Sequence, residues 1–311
     1  MAVYLLSDLD LPIRHRTYRE PAGPHAAVTR GADLGDALAH VQDRADCRAL
    51  AVLGVPPTDE DVPDLAPLAG RRLFVADPDG ARMRSFAERG RAAGADVEWY
   101  RGVPPFDVLA AWLLPVHAVV LAAGGATRMG TNKLLLELEG RPLVRHVLEA
   151  ASEGGVHTVH AVYSSENVRN TLGDIVVWVH NPNAESGQAS SLAVGLRSLP
   201  EDAAGAVVLL GDQPLVGART VRMVLRAWWQ EGAAAAVAAS FGEDGWRPPV
   251  VIDRSVWPEL LELTGDEGAR LIFKRRPDLL ETVPAEGRPD DVDTPEDYAR
   301  ILHLFPRRAP R

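Results

Sequence analysis

The sequence predicts an α/β protein, with a smaller α/β domain over residues 1–113 followed by a doubly wound, mostly parallel (mixed) sheet over residues 114–311. Three observations predict it. Short apolar runs recur along the chain and alternate with stretches of helical periodicity, the pattern of parallel strands joined by right-handed crossovers. Gly102-Val-Pro-Pro-Phe106 breaks the alternation as a turn-rich linker. At 311 residues the chain is also long enough for a core in each part.

Taken in order, Val3 to Ser7, Ala49 to Gly54, Leu73 to Ala76 and Val97 to Tyr100 read as the strands of the first domain. Asp33 to Arg44 carries Leu34, Leu38 and Val41 on one helical face, and Asp79 to Gly94 does the same with Met83, Phe86 and Ala87. Leu9 to Arg30, rich in Arg, Pro and Gly, reads as an excursion or flexible loop, and Pro56 to Pro67 as a second turn-rich connection. Ser7, Asp8, Asp10, Asp77 and Asp79 stand at the carboxyl ends of these strands. They suit either ligand contacts at that edge or simple turns and caps. For this domain the sequence predicts an architecture and no function.

Beyond the linker, Phe106 to Leu114 reads as a short helix. Strands are expected at Val116 to Ala123, Val156 to Tyr163, Ile175 to His180, Ala206 to Leu210, Ala234 to Ser240 and Pro249 to Asp253. Helices are expected at Leu143 to Ala151, Ser164 to Leu172, Ala189 to Leu199, Ala218 to Glu231, Trp257 to Leu263, Gly268 to Arg275 and Thr294 to Leu304. The Gly242 to Gly245 turn resembles a hairpin, so the strand after it makes the sheet mixed.

Composition sets limits. A net charge of −10 argues against a general nucleic-acid binder, because affinity for a phosphate backbone rests on clustered cations. One cysteine excludes an intrachain disulfide and a multi-cysteine metal site. No apolar run reaches the ~20 residues of a membrane span, and the N-terminus lacks the basic region of a signal peptide. The chain therefore reads as soluble and cytoplasmic, with no membrane or nucleic-acid partner.

The densest chemistry lies between residues 119 and 133. The apolar run ends at Gly124-Gly125 in a small-residue loop that holds Arg128 and finishes at Lys133. Such a loop lets backbone N–H groups close on phosphate oxygens while the two cations neutralise their charge. Only Lys133 and Lys274 are lysines among 33 basic residues, so a site for a compact ammonium is implied at Lys133. The spacing fits neither a Walker A loop nor a dinucleotide fingerprint. Asp212 emerges from the apolar strand ending at Gly211, where a carboxylate can hold a hard cation. Further on, Thr294, Pro295 and Asp297 form a helix start with a capping box, which leaves Asp293 free.

Leu121-Ala-Ala-Gly-Gly-Ala-Thr-Arg-Met-Gly-Thr-Asn-Lys133 resembles the opening motif of the MobA-like nucleotidyltransferases, which attach a nucleotide to the molybdenum cofactor. Asn181-Pro182, Gly187-Gln-Ala-Ser-Ser-Leu192, Gly211-Asp-Gln-Pro214, Gly265-Asp-Glu-Gly-Ala-Arg270 and Asp291-Val-Asp-Thr-Pro-Glu-Asp297 follow in the family's order. The resemblance covers roughly residues 116 to 304 and leaves the first domain unexplained.

The resemblance implies a nucleotidyltransferase domain using Mg²⁺, with CTP or GTP as donor and a phosphorylated acceptor, molybdopterin. Leu121, Ala122, Ala123, Gly124 and Gly125 would bind the nucleotide, with Arg128 and Lys133 catalytic. Asp212 and Asp293 would be the metal ligands, with Asp291 as substitute for the second. Gly187, Asn181, Ser190 and Ser191 would contact base or ribose, although the last three serve equally as helix caps. Leu121-Ala-Ala-Gly124 and Gly265-Asp-Glu-Gly-Ala-Arg270 are similar to the cytidylyl branch. Arg247, Pro249, Asp266 and Arg270 would bind the acceptor. Arg247-Pro248 stands where the family often has Gly-His, which puts the acceptor in question. Two alternatives remain: guanylyl or other nucleotidyl transfer to a different acceptor, and a non-catalytic carrier delivering the cofactor to a molybdoenzyme.

Overall fold

The computed structural model describes residues 2–7, 27–31, 34–43, 47–53, 64–77, 84–101, 104–124, 132–230, 233–242 and 245–304. The chain divides into two compact units, Met1–Leu114 with Trp229–Gly232, and Pro115–Trp228 with Ala233–Arg311.

The first unit contains β1 (Ala2–Ser7), β2 (Ala27–Gly31), α1 (Leu34–Asp43), β3 (Cys47–Leu53), β4 (Arg72–Asp77), α2 (Arg84–Ala92), β5 (Asp96–Arg101) and α3 (Phe106–Leu113). Its sheet runs β2-β1-β3-β4-β5 with every pair parallel, a doubly wound order. Period-2 alternation along the strands sends Leu50, Val52, Leu73 and Val75 into one core with Leu38 and Val41 of α1 and Phe86 of α2. Phe74 points to the other face, where its ring lies 5.1 Å from Trp112 of α3. The expected loop Leu9 to Arg30 needs correction at its end, because Ala27–Gly31 is a strand that pairs with β1 in the register Val3↔Val28. Its apolar signal is two residues long beside Arg30, and the partner strand supplies what local propensity lacks. Asp8, Asp10, Asp79 and Met83 lie outside the described residues.

The second unit opens with β6 (Val116–Ala122), the hairpin β7 (Glu137–Leu138) and β8 (Arg141–Pro142), and α4 (Leu143–Glu153). It continues through β9 (Val159–Tyr163), α5 (Glu166–Leu172), β10 (Val177–His180), α6 (Gln188–Arg197), β11 (Gly205–Leu210) and α7 (Ala218–Trp229). It ends with β12 (Ala236–Ser240), β13 (Trp246–Asp253), α8 (Trp257–Leu261), α9 (Ala269–Arg275), β14 (Leu280–Pro284) and α10 (Pro295–Leu304). The order is β10-β9-β6-β11-β13-β12-β14, parallel except that β13 runs against both neighbours. The sheet is mixed, as the sequence predicts.

Two local features set the geometry. Gly195 lets α6 lie close on the sheet, since a Cβ there would stand 2.4 Å from Val119 of β6. On β13, partners jump from Ala238↔Val250 to Ala239↔Arg247, so Pro248 and Pro249 occupy a bulge. Proline lacks the N–H a ladder needs, and a bulge is where an inner strand tolerates it. β13 thereby begins at Trp246, three residues before the expected Pro249.

Candidate active site

β6 and β11 are adjacent parallel strands, paired through Leu121↔Leu210. Their carboxyl ends deliver Ala123 and Gly124 on one side and Asp212 on the other. Gly211 N–H donates to the Leu121 carbonyl at 2.9 Å, fixing the two ends together. A third segment arrives from the C-terminal part of the chain. Val292 and Ile301 are fully buried with Leu138 and Leu143, and Val292 N–H donates to the Asp212 carbonyl at 3.1 Å. The Tyr298 hydroxyl donates to the Glu137 carbonyl. This small satellite core brings residues 291–293 beside residue 133.

There the Lys133 ammonium donates to Asp212 Oδ2 at 2.7 Å and to Asp293 Oδ1 at 2.6 Å. The lysine side chain is 11% exposed, against 23% for Asp212 and 51% for Asp293. Burial pulls its pKa down, but the two carboxylates outweigh that and hold the ammonium above its ordinary range. Asp291 is set differently, accepting from Gln213 Nε2 at 2.8 Å. Burial first, then the neighbouring Asp212 charge, pushes its carboxyl up. Asp293 is free of capping duty because Asp297 takes it, accepting from Thr294 N–H at 3.0 Å while Thr294 Oγ1 accepts from Asp297 N–H at 3.1 Å. Among the described residues no group of three or more His, Cys, Asp or Glu side chains is arranged as a metal cage. Asp212 and Asp293 nonetheless aim hard oxygen donors at one cationic point, a donor set that suits a divalent ion whose other ligands are water and phosphate.

A cavity of about 300 Å³ adjoins this cluster, lined by Leu121, Ala123, Gly124, Gly187, Ser191, Asp212 and Asp266 among others. The N-terminal end of α6 opens on it through Gly187 and Gln188, and such an end favours an anion. Ala122 is buried in the sheet at 3% exposure, outside that lining. Asn181 donates to Ser190 Oγ and Ser191 Oγ, both at 2.9 Å, and its own Oδ1 accepts from Asn183 N–H at 3.0 Å. Asn181 and Ser190 thus hold the start of α6, while Ser191 faces the cavity. Gly125 and Arg128 lie outside the described residues.

A second cavity of about 670 Å³ shares Asp266 with the first and is lined by Trp246, Arg270, Phe273 and Lys274. The Arg270 guanidinium stands 5.8 Å from the centre of the Trp246 ring, and the Phe273 ring meets Trp246 edge-on at 6.0 Å. Arg247 donates to the Trp246 carbonyl at 3.1 Å, and neither Arg247 nor Pro249 is among the lining residues. Sequence reasoning missed Trp246, Phe273 and Lys274. The rarity of lysine was an available signal, since both lysines of the chain flank this pair of cavities.

An α/β sheet with a cavity at its carboxyl edge and charged groups converging there defines a nucleotide-using enzyme class. The MobA-like NTP transferase domain model matches residues 118–280, and the chain belongs to that family. It is a nucleotidyltransferase. It is 31% identical over 200 residues to the purine catabolism protein PucB of Bacillus subtilis, covering 59% of this chain and 94% of that protein. The bifunctional protein GlmU of Halorhodospira halophila is 36% identical over 157 residues, covering 47% of this chain and only 33% of GlmU. Among solved structures, Rv0371c of Mycobacterium tuberculosis superposes with TM-score 0.56 at 29% identity, over 61% of this chain and 98% of its own. Its manganese complex superposes with TM-score 0.53 at 28% identity, over 61% of this chain and all of that one. Residues 1–117 lie outside the family match. No helix among the described residues is long and apolar enough to cross a membrane.

Proposed function

We propose that the second unit transfers CMP from CTP to a phosphate on molybdopterin, releasing pyrophosphate, with Mg²⁺ as the metal. The observation that carries this reading is the convergence of Asp212 and Asp293 on the Lys133 ammonium, with Asp212 also lining the smaller cavity. The nucleotide lies in that cavity against β6 and the start of α6, and the acceptor in the larger one. Asp212 and Asp293 would hold the divalent cation, which supplies neutralisation of phosphate charge when bound; the manganese complex of Rv0371c supports a cation of this kind. Lys133 places its ammonium against the α-phosphate, and Arg128 would bind the leaving pyrophosphate. An acceptor phosphate oxygen attacks the α-phosphorus in line. The new P–O bond forms as the bond to the β-phosphate oxygen breaks. Positioning and charge stabilisation carry such a transfer, so no protein nucleophile is required.

Leu121-Ala-Ala-Gly124 supports CTP over GTP, because the Ala123 side chain fills space that a glycine would leave open. Arg247-Pro248 in place of Gly-His, with Trp246 and Arg270 beside it, supports the alternative of a different phosphorylated acceptor for the same reaction. One panel separates the readings. With labelled CTP, GTP or ATP, Mg²⁺ and molybdopterin, pyrophosphate release is expected fastest with CTP. Equal release with GTP, or release only with another phosphorylated acceptor, would replace the finer reading. A carrier would bind the cofactor and consume no nucleotide.

A further inference from the structure

The first unit carries a groove to which the proposed transfer assigns no role. Arg84, Ala87, Glu88 and Arg91 stand on one face of α2, and Trp99 and Arg101 are alternate residues of β5; together they line a cavity of about 530 Å³. β5 is the edge strand of its sheet. Val97, two residues earlier on the same face, packs against the core, whereas Trp99 is left 37% exposed. A large aromatic left part-exposed in a concavity is an unused stacking surface.

The charge of the groove runs against that of the whole chain. Three guanidinium groups face one carboxylate in a protein of net charge −10. The Arg84–Glu88 pair is 3.3 Å long with side chains 80% and 62% exposed, a weak, solvent-screened contact that leaves Arg84 available. Three guanidinium groups around one aromatic face suit an anion that carries a ring. The cavity has the size of a small-molecule site, roughly 300–1,000 Å³, and is too small for a nucleic-acid track.

We propose that this groove binds a small, flat organic anion, its ring stacked on Trp99 and its phosphate or carboxylate groups held by Arg84, Arg91 and Arg101. The test uses the full chain and the flat trianion 8-hydroxypyrene-1,3,6-trisulfonate, followed by fluorescence anisotropy. Binding is expected to weaken about tenfold or more in Arg101→Glu and in Trp99→Ala, with pyrophosphate release unchanged. Glu88→Gln, which removes the competing carboxylate, is expected to tighten it, and keeps the test decisive should Trp99→Ala fail to fold. AMP is expected to displace the probe better than adenosine or inorganic phosphate, showing that ring and charge are both read. Binding that is unaffected by Arg101→Glu and Glu88→Gln, or that is lost instead in Lys133→Ala or Trp246→Ala, would overturn the proposal. Displacement by phosphate as effective as by AMP would remove the stacking role.

Discussion

Lys133 keeps two carboxylates together that would otherwise repel each other. Asp212 and Asp293 come from segments about eighty residues apart in the sequence, and both carboxylates accept from its ammonium. Lys133→Ala is therefore expected to lower kcat/KM for pyrophosphate release by about 3 kcal/mol or more, a factor of at least ~100. Single-turnover kinetics on folded variant would check it, and a loss below tenfold would remove Lys133 from the reacting centre. Asp291 was a candidate for the same role as Asp293. It is partly buried, its carboxylate accepts from Gln213 on the turn after β11, and it stays the alternative second metal ligand in the proposed reaction.

At the level of elements, Gly187 carries the most consequential constraint. Its φ is +107°, and a Cβ there would stand 2.2 Å from the Gly265 carbonyl. Backbone cannot yield as a side-chain tip can, and Ala189 N–H already donates to that same carbonyl at 3.0 Å. Gly187→Ala is expected to destabilise the second unit by about 2 kcal/mol and to raise KM for the nucleotide by displacing Asp266. Thermal unfolding together with initial rates would test this, and a variant with unchanged Tm and KM would refute it. The same element level shows what was legible beforehand. Buried strands such as Val116–Ala122 and Gly205–Leu210, with near-continuous apolar runs, were readable from sequence because both faces are covered. Ala27–Gly31 and Leu280–Pro284 were not, since each depends on a partner distant in sequence, and Glu137–Leu138 was not because a two-residue strand has no periodicity to read. The site followed the same division. Asp212 announces itself at a strand end and Lys133 at the end of a small-residue loop, while Trp246 and Phe273 meet only after the sheet is assembled, and for Asn181 the choice between cap and ligand contact is not legible without its two serine partners.

At the scale of the molecule, stability is expected to depend on pH through two buried histidines, His117 and His160, His117 lying at the opposite end of β6 from the cavities. His117 is 4% exposed; burial, then His157 and His160, lowers its pKa from about 6.5 to about 4. Its Nδ1 lies 2.7 Å from Thr158 Oγ1. Between those two values the unfolded chain takes up a proton that the folded chain refuses, so stability falls as pH drops through that window and is unaffected by this group above it. The slope is about 1.4 kcal/mol per pH unit at most, and His160, also lowered by burial, adds in the same direction. Urea midpoints from pH 7 to 4.5 should fall steadily, with a shallower decline in His117→Asn. Parallel profiles for the two proteins would rule out His117 as the source.

Asp266 belongs to the walls of both cavities, and this limits how the enzyme can be redesigned. If nucleotide and acceptor occupy the two cavities as proposed, an exchange at Asp266 is expected to alter the binding of both, so a new acceptor selected there would come with a weakened donor. Trp246, Phe273 and Lys274 line only the larger cavity. On the same proposal, exchanges on that face are expected to change acceptor preference and leave donor binding as it is.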